Sequence, residues 1–369
     1  MKAFNDLADF SNEEIKALVE LAGRLDAHPE PDALKGKVLS LLFLSPSLRT
    51  LASFQAAMTR LGGGSFVISP DMSIHGLEVR DGIVMDGVAA EHIREAVPVI
   101  ASYGDAIGIR AFADRKSIEY DIAETRFNSL TELIDKPYIN MESAMNHPCQ
   151  SLADWKTLDD FEMPANGGKF VLSWAYHPRA LPLAVPAATL HMAAMRGMDV
   201  TVLRPEGFEL PAPVMQKAIF AAEESGDSVT ESSDRTEAME GAHVIYAKSW
   251  SSTRHYGDKL ADQKLREGLI DSDTIICDAK TGISGAGIKP AQTFHYPLRY
   301  ENMNAYKIAA HQHNMEIERE LSLFFPQGLV EYDLASFGWM EGLLTLVTRT
   351  DGGGLTTGGV VHLVILHVE

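Results

Sequence analysis

The sequence predicts an α/β protein of two doubly wound parallel-sheet domains, and three observations lead to that class. Leu39 to Leu44 is a short apolar run of the kind that forms a buried parallel strand. It hands over, through Ser45-Pro46-Ser47, to a stripe of Leu51, Phe54, Met58 and Leu61 at helical spacing. Similar alternations of apolar strand and amphipathic helix recur along the chain as far as Ala247.

Taken in order, Ser11 and Glu14 have the spacing of a capping box, with Phe10 and Ile15 as a hydrophobic staple. The helix they start shows Ile15, Leu18, Val19, Ala22 and Leu25 on one face and stops before the proline-containing loop 28–32. The helix that follows Ser47 ends at Gly62-Gly63-Gly64. Ser65 to Ile68 reads as a strand, 69–87 as a long loop, Ala89 to Tyr103 as a helix and Asp105 to Phe112 as a strand. His147-Pro148-Cys149-Gln150 precedes a helix that begins near Ser151. After a glycine-rich join at 164–168 come a strand at 169–175, a helix at 184–196, a strand at 200–203, a helix at 212–225 and a strand at 243–247.

In such sheets ligands sit beyond the carboxyl ends of the strands. Ser47, Leu48, Arg49 and Thr50 lie at a strand-to-helix junction, where free backbone N–H groups and the helix dipole favour an anion. A capping serine beside a surface arginine accounts for the same residues. The turn after the strand at 169–175 has no glycine fingerprint to admit a pyrophosphate, so no nucleotide cofactor is expected.

Composition narrows the function classes. With 369 residues, two or three domains are expected, and 46% hydrophobic with 22% charged residues is a globular balance. A formal net charge of −19 argues against a nucleic-acid binder or a polybasic membrane-surface protein. Two cysteines, Cys149 and Cys277, form no disulfide framework, and the start of the chain shows no signal-peptide core. A cytoplasmic protein with no membrane partner is the expectation.

The Ser47-x-Arg49-Thr50 unit, a strand ending at Arg110, and His147-Pro148-x-Gln150 together resemble the carbamoyltransferases, and the resemblance runs to about Lys259. Val84 to Gly87, Asn140-Met141-Glu142, Trp174 with His177-Pro178-Arg179, and Tyr246 to Trp250 resemble the N-acylornithine branch of that family. The resemblance implies a carbamoyl-phosphate-binding domain at 1–150 and an N-acylornithine-binding domain at 151–260. It implies that Ser47, Leu48, Arg49 and Thr50 hold the phosphate. Arg110, His147 and Gln150 reach the carbonyl and amide, as the catalytic group. Glu142, His177, Arg179 and Lys248 meet the amino-acid substrate, although plain surface charge is the rival for Arg179 and Lys248. His147 as a structural helix cap, and Cys149 as a small buried hydrophobe, are the bland alternatives at those positions. The loop 69–87 resembles one that reaches a neighbouring active site, with His75 where a tryptophan is expected, and Ala90 stands at the position associated with acyl discrimination and slightly favours succinyl over acetyl. The partners implied are carbamoyl phosphate and an N-acylated ornithine, with a homotrimer as the assembly and no cofactor or metal.

Other features depart from the family. Leu51 stands where a second arginine usually follows the threonine, and the usual His-Cys-Leu-Pro stretch is missing. Instead, Leu265 to about Phe325 resembles the catalytic domain of N-acetyl-gamma-glutamyl-phosphate reductase, through Cys277 to Gly287, Glu301-Asn302, Ala305-Tyr306-Lys307 and His311-Gln312-His313 with Glu316. That reductase's nucleotide-binding half and nucleophile motif are absent. The expectation is therefore a foreign α+β C-terminal segment at 261–369, a fusion of parts, with turnover impaired by the exchanged ending. The alternatives are a reductase fragment and a damaged chimera that keeps only anion binding. His311, His313 and Glu316 have a spacing seen in metal sites, but a short segment of this kind is weak ground for one.

Overall fold

The computed structural model describes residues 3–70, 76–78, 82–87, 89–177 and 179–269, with the backbone of two strands at 343–346 and 362–366. His75, Pro178 and nearly all of the reductase-like segment, including His311, His313 and Glu316, lie outside the described residues.

After a 3-10 turn at Leu7–Asp9, α1 spans Asn12–Ala27, started by the reciprocal Ser11–Glu14 capping box. The first sheet follows: β1 (Val38–Phe43), α2 (Leu48–Arg60) and β2 (Gly64–Ile68). A small pair, β3 (Gly76–Glu78) and β4 (Ala89–His92), precedes α3 (Ile93–Ser102). The helix expected over Ala89 to Tyr103 thus starts too early, because the strand β4 at its first four residues pairs with β3 and helix begins at Ile93. Then come β5 (Ala106–Arg110), the short helices α4 (Ile118–Ile122) and α5 (Thr125–Thr131), β6 (Tyr138–Glu142) and α6 (Pro148–Asp160). α6 starts at Pro148, earlier than the expected Ser151, since proline fits the first helical position and His147 supplies the cap.

The four strands are all parallel, in the order β2-β1-β5-β6. β1 runs to β2 on one side, and the chain returns on the other side as β5, so the strand order reverses between β1 and β5. One face packs Leu42, Val97, Ile107, Ile109 and Phe127, and the other Leu39, Leu41, Phe43, Met58 and Met141. Gly108 in β5 lets the faces close, as a Cβ there would lie 2.8 Å from Met141 Sδ. Leu51 packs partly buried on the second face.

The second sheet contains β7 (Gly168–Trp174), α7 (Ala184–Met195), β8 (Met198–Leu203), α8 (Ala212–Ser225), β9 (Val229–Ser232), α9 (Arg235–Met239) and β10 (Val244–Lys248), followed by α10 (Lys259–Glu267). β11 (Leu343–Leu346) and β12 (His362–Leu366) extend it, giving the order β11-β12-β10-β7-β8-β9. β12 runs parallel to β10, and β11 antiparallel to β12. Again the order reverses, here between β7 and β10. α7 is buried almost all round, which explains its lack of a one-sided pattern. Among the described residues no helix is long and apolar enough to cross a membrane.

The two halves share a core. Leu7, Ile15 and Val19 of the N-terminal arm, with Trp155 and Leu158 of α6, pack with Phe170, Leu172, Val202, Tyr246 and Trp250. Tyr256 donates its hydroxyl to Asp121 at 2.8 Å, and Gly257, with φ +81°, passes so close to the Arg115 carbonyl that a Cβ would sit 2.2 Å from it.

Candidate active site

Ser47 has extended backbone and caps α2, its hydroxyl accepting from the Thr50 N–H at 3.3 Å and donating to Thr50 Oγ1 at 2.9 Å. The junction therefore is a helix cap, as the bland reading has it, and the cap stands at the strand-order reversal. Leu48 and Arg49 are exposed on the first turn.

β5 ends beside it. Phe43 of β1 is in register with Arg110, and the β5–β6 register shifts by a bulge between Ile109 and Arg110, which sets Arg110 opposite Glu142. Without the bulge the two side chains would not face one another. Glu142 adopts φ +152°, an uncommon backbone for a non-glycine residue, and its N–H donates to Asn140 Oδ1 at 3.0 Å. Arg110 Nη1 lies 2.7 Å from Glu142 Oε2 and donates to the Met141 carbonyl at 3.2 Å and to Thr50 Oγ1 at 3.4 Å. Its guanidinium carbon also sits 4.5 Å from the centre of the Phe112 ring. Both members of the ion pair are buried, Arg110 at 5% and Glu142 at 1% exposure.

His147 does two jobs at once. Its Nδ1 accepts from the Gln150 N–H at 3.3 Å, capping α6, and its Nε2 is 3.4 Å from Glu142 Oε2. An accepting Nδ1 puts the ring proton on Nε2, directed at the carboxylate. The loop between β6 and α6 is held from behind by Glu124, which accepts from Ser143 Oγ at 2.7 Å and the N–H groups of Ala144 at 3.1 Å and Met145 at 2.8 Å. Burial nonetheless pushes the Glu124 carboxyl upward. Cys149 brings its Sγ to 3.6 Å from the Asn140 carbonyl, and desolvation pushes the thiol up to about 12, so it stays a neutral packing group.

Gln150 donates to Asp154 Oδ1 at 2.8 Å, and Thr189 of α7 donates to Asp154 Oδ2 at 3.4 Å. Asp154 is buried, which pushes its carboxyl up to about 6 against the pull of Gln150, Tyr246, Thr189 and Lys248. The motifs do not point to Asp154, although a position four residues after Gln150 puts both on one helix face. Glu124 has no local signal at all, because it acts on a segment twenty residues away.

The second-domain residues divide. Lys248, at the carboxyl end of β10 and in register with Trp174, is only 2% exposed, which overturns the surface-charge reading for it. Arg179 is exposed, and its N–H donates to His177 Nδ1 at 3.0 Å in a tight turn after β7. Ala90 is exposed on β4, outside the four-stranded sheet. The structure thus brings together Ser47, Thr50, Arg110, Glu142, His147 and Gln150 in one connected cluster. Among the described residues no group of three or more His, Cys, Asp or Glu is placed to hold a metal ion.

Such a cluster offers a cation, a helix N-terminus and an imidazole beside a carboxylate, which suits an oxyanion and a phosphate more than a redox step. The aspartate/ornithine carbamoyltransferase family matches over residues 2–160 with its carbamoyl-P binding domain and over residues 185–276 with its Asp/Orn binding domain. The dimerisation domain of semialdehyde dehydrogenases matches over residues 263–344. N-acetylornithine carbamoyltransferase of Xanthomonas campestris pv. campestris is 37% identical over 291 residues, 78% of this chain and 85% of that protein. N-succinylornithine carbamoyltransferase of Bacteroides thetaiotaomicron is 35% identical over 232 residues, 62% of this chain and 69% of that protein. A crystal structure of acetylornithine transcarbamylase complexed with acetylcitrulline superposes with a TM-score of 0.69 at 36% identity, covering 73% of this chain and 81% of that one. A mutant of N-acetyl-L-ornithine transcarbamylase complexed with carbamyl phosphate and N-succinyl-L-norvaline gives the same TM-score.

Proposed function

The chain belongs to the aspartate/ornithine carbamoyltransferase family, and from that premise we propose that it moves the carbamoyl group of carbamoyl phosphate to the side-chain amine of an N-acylated ornithine. The products are an N-acylcitrulline and inorganic phosphate. The observation that supports this most is the connected cluster of Thr50, Arg110, Glu142 and His147 at the strand-order reversal of the first sheet.

In this reading the phosphate lies on the first turn of α2, held by the N–H groups of Leu48 and Arg49, the hydroxyls of Ser47 and Thr50, and the Arg49 side chain. The carbonyl oxygen points at Arg110 and His147, and Gln150 accepts from the carbamoyl NH2. Substrate binding draws Arg110 partly away from Glu142, and the Glu142 carboxylate then faces the incoming amine. The neutral amine attacks the carbonyl carbon, negative charge gathers on the oxygen, and Arg110 with the His147 Nε2–H stabilises it. Collapse breaks the bond from carbon to the bridging oxygen, and phosphate leaves with the proton released by the amine. Each step rests on positioning and fixed charge, not on a special acid or base. His177, Arg179 and Lys248 hold the amino-acid end, while Ala90 borders the acyl group. A small, uncharged Ala90 leaves room for a succinyl group, and we place succinyl slightly ahead of acetyl. The pathway is arginine biosynthesis, and the setting cytoplasmic. The active form in this reading is a homotrimer with sites shared between subunits. The units in this reading are 1–150, 151–260 and 261–369.

A citrulline colour assay with carbamoyl phosphate and N-acetyl- or N-succinylornithine tests the activity and ranks the acyl groups. Calorimetry that finds no carbamoyl phosphate binding sinks the proposal. Sedimentation that finds only monomer at micromolar concentration sinks the shared site.

A further inference from the structure

α10 carries no residue that a motif singles out, yet it holds two buried charges. Asp262 and Arg266 lie one turn apart, pair with each other, and are each 3% exposed. Asp262 Oδ1 also accepts from the Ser252 N–H at 2.7 Å, while Arg266 Nη1 donates to the His177 carbonyl at 3.0 Å. One helix thereby grips the loop after β7 and the loop after β10, on the two sides of the strand-order reversal in the second sheet. Ser252 in turn donates its hydroxyl to the Gly207 carbonyl at 2.5 Å, so the grip continues into the loop after β8.

A plain packing role explains this poorly. Burying two charges costs desolvation that their attraction barely repays, and apolar side chains would seat a helix at least as well. What the ion pair adds is direction. The planar guanidinium satisfies a carbonyl and a carboxylate at once from a fixed fork, which a lysine cannot do. The carbonyl it fixes belongs to His177, whose ring accepts from the Arg179 N–H, and the amide its partner fixes lies four residues beyond Lys248. α10 also straddles the zone where the two matching families meet, since the carbamoyltransferase match extends to residue 276 and the dehydrogenase match begins at 263.

We propose that the Asp262–Arg266 pair is a positioning clamp for the amino-acid half of the site, setting the His177–Arg179 turn and the Lys248–Ser252 segment against each other for an N-acylated ornithine. The ligand in this statement rests on the carbamoyltransferase reading, whereas the mechanical coupling of the two loops does not.

The test uses the full chain with Arg266→Met, Arg266→Lys and Asp262→Asn. Hydrogen–deuterium exchange is followed over 175–183 and 249–256, with 39–60 and 106–112 as references. Calorimetry measures carbamoyl phosphate, then N-succinyl-L-norvaline added to the carbamoyl phosphate complex. Both methods work without turnover. Arg266→Met should speed exchange in both loops and weaken N-succinyl-L-norvaline by about tenfold or more, with carbamoyl phosphate within about twofold, the scale of losing one charged hydrogen bond on one side only. Arg266→Lys should fall between Arg266→Met and the native chain. Unchanged exchange in the two loops overturns the clamp, as does faster exchange spread over the whole chain in all variants. Equal loss of both ligands also overturns it. If the native chain binds no carbamoyl phosphate, the transferase reading falls, and the exchange data still decide whether the loops are coupled.

Discussion

At the carboxyl end of the first sheet, Ser47, Thr50, Arg110, Glu142 and His147 hold one another directly, and each lies in or beside a short recognisable motif. At the carboxyl end of the second sheet the corresponding loops are held from afar. Trp174 Nε1 donates to the Trp250 carbonyl at 3.1 Å, Trp250 Nε1 to the Phe208 carbonyl at 2.9 Å, and Arg266 to the His177 carbonyl at 3.0 Å. The first end is held mainly by neighbours in sequence and in register, with Glu124 reaching in from twenty residues away, and the second by side chains reaching from other elements onto backbone carbonyls.

The sharpest break comes from Arg110→Ala, which removes the cation 2.7 Å from a carboxylate that is 1% exposed. Urea unfolding should register a loss of about 3–5 kcal/mol, as for other buried pairs cut on one side. A loss below about 1 kcal/mol would mean that the cluster is not preorganised by this pair.

Asp154 bridges the two ends, and it sharpens the comparison through pH. Burial holds its carboxyl at about 6, above the usual carboxylate range, so between pH about 4 and 6 the native chain keeps a proton that the unfolded chain has lost. Its contribution to stability is present at low pH and is lost as pH rises through about 6. Asp154→Asn has no such proton to lose. Relative to the native chain, the variant should gain up to about 3 kcal/mol between pH about 4 and 7, read by urea unfolding across that range. Parallel stability curves for the two proteins would place Asp154 in contact with water.

Arg49→Ala should leave the circular dichroism spectrum and melting temperature unchanged, because Arg49 is exposed on the first turn of α2. Calorimetric affinity for carbamoyl phosphate should fall by about 1.5–3 kcal/mol, the value of a charge-assisted contact. Unchanged affinity would move the anion away from α2. Ser47→Ala is the smallest of these effects, with about 1 kcal/mol of stability lost with the cap, measured by thermal unfolding.

The parts whose cause is local were legible in the sequence. The capping box at Ser11 and Glu14, the stripe from Leu51 to Met58, the breaks at Gly62 and Pro164, and the Ser47–Thr50 and His147–Gln150 junctions all follow from side-chain periodicity and from hydrogen bonds spanning three or four residues. Those junctions named most of the first-domain cluster. Folding of the whole chain decided that Ala89 to His92 pairs as a strand, because its partner is Gly76 to Glu78 and not its own next turn. It also decided that Arg110 and Glu142 face each other across a bulge, that Lys248 is buried, and that Glu124, Asp154, Asp262 and Arg266 find partners outside their own elements. Asp262 and Arg266 show why the two kinds of information part. On the sequence they are an ordinary i,i+4 pair on a charged helix, and the carbonyl to which Arg266 donates lies 89 residues earlier in the chain.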